Sequence, residues 1–169
     1  MLGMRYKSIL FVCHGNICRS PMAEFVMKKI AEDAGISEEL TIASCATSTD
    51  EIYHGIGNPV YPPAREELRK HNISCDGKRA VQMTKSDYKL YDLIIAMDKY
   101  NVRNIKHIVG PDVDEKIWLL LDFVSCIDNK EPQRLSSRDI SDPWYTGDFT
   151  TTYKDVLIGC QGLLEFLKK

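Results

Sequence analysis

The sequence lacks any stretch of about 18 consecutive apolar residues, so it contains no candidate transmembrane helix. Its first residues include Arg5 and Lys7 but lead into an apolar run that is too short for the core of a signal peptide. These absences predict a protein that does not insert into a membrane and that resides in the cytoplasm.

An excess of charge of one sign is also absent. The chain has 22 Lys and Arg against 24 Asp and Glu, for a formal net charge of −2. Proteins that hold nucleic acid through bulk charge are usually strongly basic, so we expect no nucleic-acid partner. With 169 residues, of which 44% are hydrophobic, the chain can bury a core of its own. We therefore expect a single folded domain over residues 1–169.

The cysteines do not form the pattern of a disulfide framework or of a zinc site. Only Cys13 and Cys18 lie close together, and no second pair completes a set of four ligands. A secreted disulfide scaffold is usually shorter and richer in cysteine. We therefore expect no bound metal, no other cofactor and no structural disulfide. The six cysteines are Cys13, Cys18, Cys45, Cys75, Cys126 and Cys160.

Short apolar runs alternate along the chain with segments of helical periodicity. Residues 93–97, for example, read LIIAM, and the apolar side chains of residues 156–167 recur at offsets of 4, 7, 8 and 11. Such alternation predicts an α/β fold with a parallel sheet and right-handed crossovers. The predicted strands are 9–12, 40–45, 93–97 and 117–121, the predicted helices are 23–34, 63–71, 99–107 and 156–167, and 129–148 is predicted to be an irregular loop.

The loop after the first strand carries the strongest chemical signal. Ligands of open parallel sheets bind beyond the carboxyl ends of the strands, and residues 13–21 read CHGNICRSP at that place. Gly15 and Asn16 tolerate left-handed backbone, which lets the chain curl and point its N–H groups inward. Arg19 begins the next helix and offers a planar fork for two phosphate oxygens. The loop is therefore predicted to bind a tetrahedral oxyanion.

Cys13 stands at the start of this C-x5-R loop, with its sulfur aimed into the predicted anion site. A helix N-terminus and a neighbouring cation favour the thiolate form of a cysteine, and a thiolate beneath a phosphorus atom is a nucleophile. The alternative is an ordinary strand-to-helix turn with an incidental cysteine and arginine. The Gly-Asn curl and the Ser-Pro helix start directly after a buried strand favour the anion site.

A phosphatase of this kind also needs an acid for its leaving group. Asp142 is the candidate, in the tetrapeptide DPWY of residues 142–145. An Asp-Pro pair also begins turns, so a purely structural role is the alternative. The neighbouring Trp144 and Tyr145 favour a functional role, because they could line a slot for a flat ring while Asp142 reaches its ester oxygen.

These segments resemble the low-molecular-weight protein tyrosine phosphatases. The similarity spans essentially the whole chain and includes residues 11–24, 46–48, 57–59, 97–98 and 142–145. It implies a doubly wound four-stranded parallel sheet with helices on both faces. It also implies a metal-free, two-step reaction on a tyrosine-phosphorylated protein, in a monomer or weak dimer. Cys13 would attack phosphorus, Arg19 would stabilise the transition state, and Asp142 would act as general acid and then as general base.

The resemblance assigns supporting roles to further residues. Residues 14–18 and Ser20 would bind the substrate together with Trp144 and Tyr145, and Tyr53 would either stack on the substrate ring or remain a surface aromatic. Asp98 would orient Arg19 or the loop, or would cap a helix. The residues of the substrate-binding loop are His14, Gly15, Asn16, Ile17, Cys18 and Ser20. The hydrogen-bond network that fixes the loop would consist of Asn16, Ser20, Ser44 and His71.

The resemblance also implies that Cys18 can form a reversible disulfide with Cys13, which would make the activity sensitive to peroxide. Three other functions remain open from the sequence. An arsenate reductase is disfavoured because residues 95–99 hold no cysteine. A phosphoarginine phosphatase carries threonine where this chain has Ile17. A non-catalytic phosphotyrosine-binding module would lack the nucleophile or the acid.

Overall fold

A computed structural model describes residues 3–169 of the chain. Its centre is a four-stranded parallel sheet, as the sequence predicts. The neighbouring strands of this sheet are, in order, Thr41–Ala46, Ser8–Cys13, Leu93–Ala96 and Ile117–Leu119. Two further short strands, β3 and β4, pair with each other in a separate antiparallel hairpin. The strands are β1 (Ser8–Cys13), β2 (Thr41–Ala46), β3 (Ile52–Tyr53), β4 (Ile56–Gly57), β5 (Leu93–Ala96) and β6 (Ile117–Leu119).

Helices cover both faces of the sheet, which confirms the doubly wound arrangement. One face packs around Phe11, Met27 and Leu163, and the other packs around Leu10 and Ile105, so that β1 is buried on both sides. This double burial explains why β1 is a continuous apolar run. The helices are α1 (Arg19–Asp33), α2 (Pro62–Lys70), α3 (Asp87–Leu90), α4 (Lys99–Val109), α5 (Pro143–Thr146) and α6 (Phe149–Leu167).

The parallel direction of the strands brings their carboxyl ends to one edge. Cys13, the last residue of β1, pairs with Ala46 of β2, and Val12 pairs with Ala96 of β5. The segments that follow β1, β2 and β5 therefore leave the sheet at the same edge. This edge is where the sequence places the anion-binding loop.

The fourth strand is shorter than predicted. It ends at Leu119, and the chain continues as a 3₁₀ helix over Leu120–Asp128. The buried Asp122 carboxylate explains the change of direction, because it accepts hydrogen bonds from the backbone N–H groups of Leu119 at 2.9 Å and Leu135 at 2.8 Å. It also accepts from the N–H groups of Ser136 and Ser137, at 3.1 and 2.9 Å.

Two further local features lie beside the sheet. The segment after β2 forms the β3–β4 hairpin, with left-handed backbone at His54 and Gly55. The predicted loop 129–148 contains the short helix α5, whose first turn starts at Pro143. Within residues 3–169, no helix is long and apolar enough to cross a membrane.

Candidate active site

The C-x5-R loop wraps around the sulfur of Cys13 at the end of β1. The N–H of Asn16 donates a hydrogen bond to this sulfur at 3.3 Å, and the Ser20 hydroxyl lies 3.0 Å from it. Asn16 has a φ of +59°, as predicted for the curl. Gly15 does not have a left-handed φ, but a side chain there would meet Glu51, since a Cβ would stand 3.2 Å from the Glu51 Cγ.

A chain of buried side chains supports the loop from behind. Asn16 donates through Nδ2 to the hydroxyls of Ser20 at 2.8 Å and Ser44 at 2.9 Å, while its Oδ1 accepts from the N–H of Val81 at 3.0 Å. Ser44 in turn donates to Glu24 Oε1 at 2.6 Å. The carboxylate can only accept, and Asn16 Nδ2 can only donate, so the direction of each bond is fixed. The hydroxyl hydrogen of Ser20 then has two acceptors in reach, the sulfur of Cys13 at 3.0 Å and the carbonyl of Cys45 at 3.5 Å.

The structure does not bring His71 into this network. Its ring stacks on Tyr153 with centroids 3.7 Å apart, and its Nε2 lies 3.5 Å from Glu67. The network ends instead at Glu24, which is almost fully buried and contacts two lysines, Lys28 Nζ at 2.6 Å and Lys78 Nζ at 3.4 Å. Sequence reasoning missed all three residues. A signal for Glu24 was its spacing of four residues after Ser20, one turn further along α1.

Arg19 is held in place by three acceptors. Its Nη1 donates to Asp98 at 2.6 Å and to the carbonyl of Ile140 at 2.9 Å, and its Nη2 lies 3.3 Å from Asp142. Burial disfavours the charged guanidinium, but the neighbouring charges of Cys13, Asp142 and Asp98 outweigh it and raise the pKa of Arg19. Arg19 therefore stays cationic in a nearly dry position.

Asp98 performs both of the roles that the sequence left open. Its Oδ2 receives the Arg19 hydrogen bond, and its Oδ1 accepts from the N–H of Asn101 at 2.7 Å, which caps α4. The helix cap therefore fixes the carboxylate that orients the arginine.

Asp142 reaches the same place from a distant part of the chain. It caps α5, with Oδ1 accepting from the N–H of Trp144 at 3.0 Å, and its other oxygen faces Arg19. The segment just before it is tied to the sheet, because the N–H of Ile140 donates to the carbonyl of Met97 at 2.8 Å. The structure thus brings Cys13, Arg19 and Asp142 together as the sequence predicts.

These groups surround a pocket of about 200 Å³. Asn16 and Ser20 lie beneath it rather than on its surface, and Ser44 lies behind them. Tyr53 is outside the lining: it sits in the hairpin with 63% of its surface exposed. Two acidic residues just before the hairpin line the pocket instead. The lining residues are Cys13, His14, Gly15, Ile17, Cys18, Arg19, Asp50, Glu51, Asp142, Trp144 and Tyr145.

Comparison with known proteins identifies the family. Residues 8–169 match the family model for low molecular weight phosphotyrosine protein phosphatase. The low molecular weight protein-tyrosine-phosphatase YfkJ of Bacillus subtilis is 36% identical over 162 residues, which cover 96% of each chain. PtpA of Staphylococcus aureus, with the same description, is 34% identical over 161 residues, or 95% of this chain and 94% of that one. The chain belongs to this family.

Solved structures agree with the assignment. The crystal structure of YfkJ superposes with a TM-score of 0.84 at 34% identity, covering 96% of this chain and 95% of that one. The low molecular weight protein tyrosine phosphatase SP-PTP of Streptococcus pyogenes superposes with a TM-score of 0.77 at 40% identity, covering 95% and 93%. The chain is therefore a phosphatase, a hydrolase that acts on phosphoproteins.

Two cysteines of this phosphatase share one pocket but differ in environment. Both Cys13 and Cys18 line the pocket, and neither forms a disulfide. Burial, together with the neighbouring charge of Cys13, raises the pKa of the Cys18 thiol. Cys18 therefore stays a thiol at neutral pH, and a thiol is a poor nucleophile.

Proposed function

We propose that this protein removes phosphate from phosphotyrosine in proteins, through a cysteinyl-phosphate intermediate on Cys13. The observation that carries the proposal is the convergence of three groups on one small pocket. The Cys13 sulfur, the Arg19 guanidinium and the Asp142 carboxyl all line it. Nucleophile, anion clamp and proton donor are the three groups that a phosphate monoester needs.

In the first step, the Cys13 thiolate attacks phosphorus and the bond between phosphorus and the tyrosine oxygen breaks. Asp142, in its protonated form, transfers its proton to the departing phenolate. Arg19 and the loop N–H groups stabilise the negative charge on the equatorial phosphoryl oxygens. The two bonds from Arg19 Nη1 to Asp98 and Ile140 support this role, because they hold the guanidinium plane while Nη2 meets the phosphoryl group.

In the second step, water attacks the cysteinyl-phosphate and the sulfur–phosphorus bond breaks. Asp142, now a carboxylate, takes a proton from the water, and inorganic phosphate forms. The sulfur departs as a thiolate, which the hydroxyl of Ser20 at 3.0 Å and the N–H of Asn16 at 3.3 Å stabilise. The reaction needs no metal at any step.

The walls of the pocket support an aromatic leaving group. Ile17 offers a buried apolar edge, and the ring of Trp144, half exposed, packs against Tyr61 at a centroid distance of 4.9 Å. A flat phenyl ring can contact both surfaces while its ester oxygen faces Asp142. These walls favour phosphotyrosine over phosphoarginine, and the joint presence of nucleophile and acid favours catalysis over simple binding.

The proposal extends to the setting of the enzyme. A cytoplasmic location is supported by the cysteines, since all six are free thiols. The protein is proposed to act as a monomer or weak dimer, which sedimentation at several concentrations will test.

The decisive experiment is hydrolysis of p-nitrophenyl phosphate and of a phosphotyrosine peptide in buffer that contains a metal chelator. The parent should turn over both substrates, and Cys13→Ser should turn over neither. Rapid acid quench should trap phosphate on Cys13 in the parent. Activity that requires metal, or that survives in Cys13→Ser, would overturn the proposal.

A further inference from the structure

Three carboxylates line the active-site pocket, and they differ in their partners. Asp50 lies 2.7 Å from Nε2 of His14, and Asp142 lies 3.3 Å from Arg19. Glu51 has no Lys, Arg or His nitrogen within 4.0 Å among residues 3–169. Its partner is the neutral amide of Asn58. Glu51 is therefore the one of these three carboxylates that has no Lys, Arg or His nitrogen beside it.

Glu51 is also fixed in position. Its Oε2 accepts from Asn58 Nδ2 at 2.7 Å, and its backbone carbonyl accepts from the N–H of Asn58 at 2.8 Å. Its Cγ lies so close to the Cα of Gly15 that a side chain at residue 15 would be crowded, at 3.2 Å. The two hydrogen bonds with Asn58 hold the carboxylate at the rim of the phosphate loop. The absence of a Cβ at Gly15 leaves room for the Glu51 side chain there.

The charge of Glu51 does not serve the phosphoryl group. A phosphoryl dianion needs cations and N–H donors, and Arg19 and the loop supply them on the pocket floor. A carboxylate at the rim instead attracts a positive charge carried by the rest of the substrate. Because Glu51 is half-buried, its attraction is screened less than that of a fully exposed carboxylate.

We propose that Glu51 is a specificity-determining residue that selects phosphotyrosine with a lysine or arginine next to it in the substrate sequence. The proposal rests on the proposed function and adds the chemistry of the flanking residue. In the bound substrate, the phosphate meets Arg19 and the loop, the ring meets Trp144 and Ile17, and the flanking cation meets Glu51.

The test compares three phosphotyrosine peptides that differ only at the residues flanking phosphotyrosine, which are lysine, alanine or glutamate. For the parent, kcat/KM should be roughly three- to fivefold higher for the lysine peptide than for the alanine peptide, and lower again for the glutamate peptide. Glu51→Gln should reduce the lysine preference to about unity. Glu51→Lys should reverse it in favour of glutamate.

The readout is the ratio of kcat/KM values within one variant, so a general loss of activity or of folded protein cancels. Glu38→Gln is the matched control, because it removes the same charge from an exposed position outside the pocket lining. It should keep the parent's ratio. A parent without a preference, or a preference that survives in Glu51→Gln, would contradict the role of Glu51. Failure of the parent to hydrolyse p-nitrophenyl phosphate would instead refute the proposed function itself.

Discussion

The two halves of the active site are built in different ways. Most of the phosphate loop is buried, and Asn16, Arg19 and Ser20 each have 3% or less of their surface exposed. The acid segment lies at the surface, where Trp144 is 54% exposed and Tyr145 is 85% exposed. Side chains bonded to side chains support the first half, whereas the second half is anchored mainly through the backbone of Ile140 and the cap of α5.

This difference matches the task of each half. The loop must present N–H groups and a sulfur to one tetrahedral group without reorganising, so a rigid, dry support is favourable. The acid must reach the ester oxygen of leaving groups carried by large proteins, so an exposed position is required. Arg19 joins the two halves, because it belongs to the phosphate loop and its Nη2 bonds Asp142.

Substitution of Arg19 should disturb both the phosphate loop and the acid segment. We therefore expect a larger loss of activity than from substitution of Asp142 or of the residues behind the loop. Arg19→Lys keeps the positive charge but loses the planar fork that bonds Asp98, Ile140 and the phosphoryl group. We expect kcat for p-nitrophenyl phosphate to fall by roughly 10²–10³-fold. Steady-state kinetics will measure the loss, with Arg138→Lys, at an exposed ion pair with Asp155, as the control. A loss below tenfold would show that charge alone is sufficient.

Substitution at Asp142 should affect proton donation and leave the phosphate loop intact. Asp142→Asn keeps the helix cap and removes the proton donor, so we expect kcat for a phosphotyrosine peptide to fall by about 10²-fold or more. For p-nitrophenyl phosphate, whose leaving group needs no proton, the fall should be smaller by at least about tenfold. Equal losses on both substrates would assign Asp142 a structural role instead.

Glu24 tests whether the support behind the loop sets the state of the sulfur. Glu24→Gln can donate to Ser44 as well as accept from it, so Ser44 is held less firmly behind Asn16. Weaker support of Asn16, whose N–H bonds the sulfur, should slow alkylation of Cys13 by iodoacetamide at neutral pH by about fivefold.

Alkylation is measured by mass spectrometry of intact protein. The Cys13→Ser variant is the blank, because it reports alkylation of the other five cysteines. Among these, the raised pKa of Cys18 keeps its thiol protonated and therefore slow to react. Glu32→Gln, at an exposed position of α1, is the matched control. An unchanged alkylation rate in Glu24→Gln, with the fold intact, would limit Glu24 to a packing role.

The smallest effect is expected at Asp148, which caps α6 directly after the acid segment. Hydrogen bonds from the Thr151 hydroxyl and then from its N–H lower the pKa of this carboxyl below its usual range. A carboxyl group whose pKa is lowered in the folded state stabilises the fold at pH values above its ordinary pKa. This stabilisation is lost as the pH falls through the lowered pKa. Asp148→Ala should therefore lower the melting temperature slightly at pH 7, and by less near pH 3. A constant difference across that range would contradict the cap.

The buried half of the site was the more predictable from sequence. Strand β1, the left-handed backbone at Asn16 and the helix start at Arg19 depend on residues that are neighbours in the chain. The types of these residues therefore predict the three features. The contact of Asp142 with Arg19, 123 residues earlier, has no signal in the local sequence. The tetrapeptide DPWY left a catalytic acid and a turn residue open for Asp142, with its two aromatics favouring the acid.

The errors concern contacts between distant segments. His71 has the chemistry for a loop network, but the packing of α2 on α6 turns its ring onto Tyr153. Lys78 contacts the network instead, through Glu24, and only 11% of its side chain is exposed. The sequence around a lysine in a polar loop does not predict such burial. Tyr53 follows Glu51, a residue of the pocket lining, by only two positions, but it lies in the β3–β4 hairpin, outside the lining. Such outcomes depend on tertiary packing, which periodicity does not encode.

The carboxylate of Asp122 has a consequence for how this chain can vary. It binds the backbone at residues 135–137, and Arg134 is bound separately by Asp112 at 2.9 Å. Residues 129–133 lie upstream of both clamps and on the protein surface. Extra residues inserted there would bulge into water without displacing the proton donor. Descendants of this chain could therefore acquire new surface loops at that point while their chemistry stays the same.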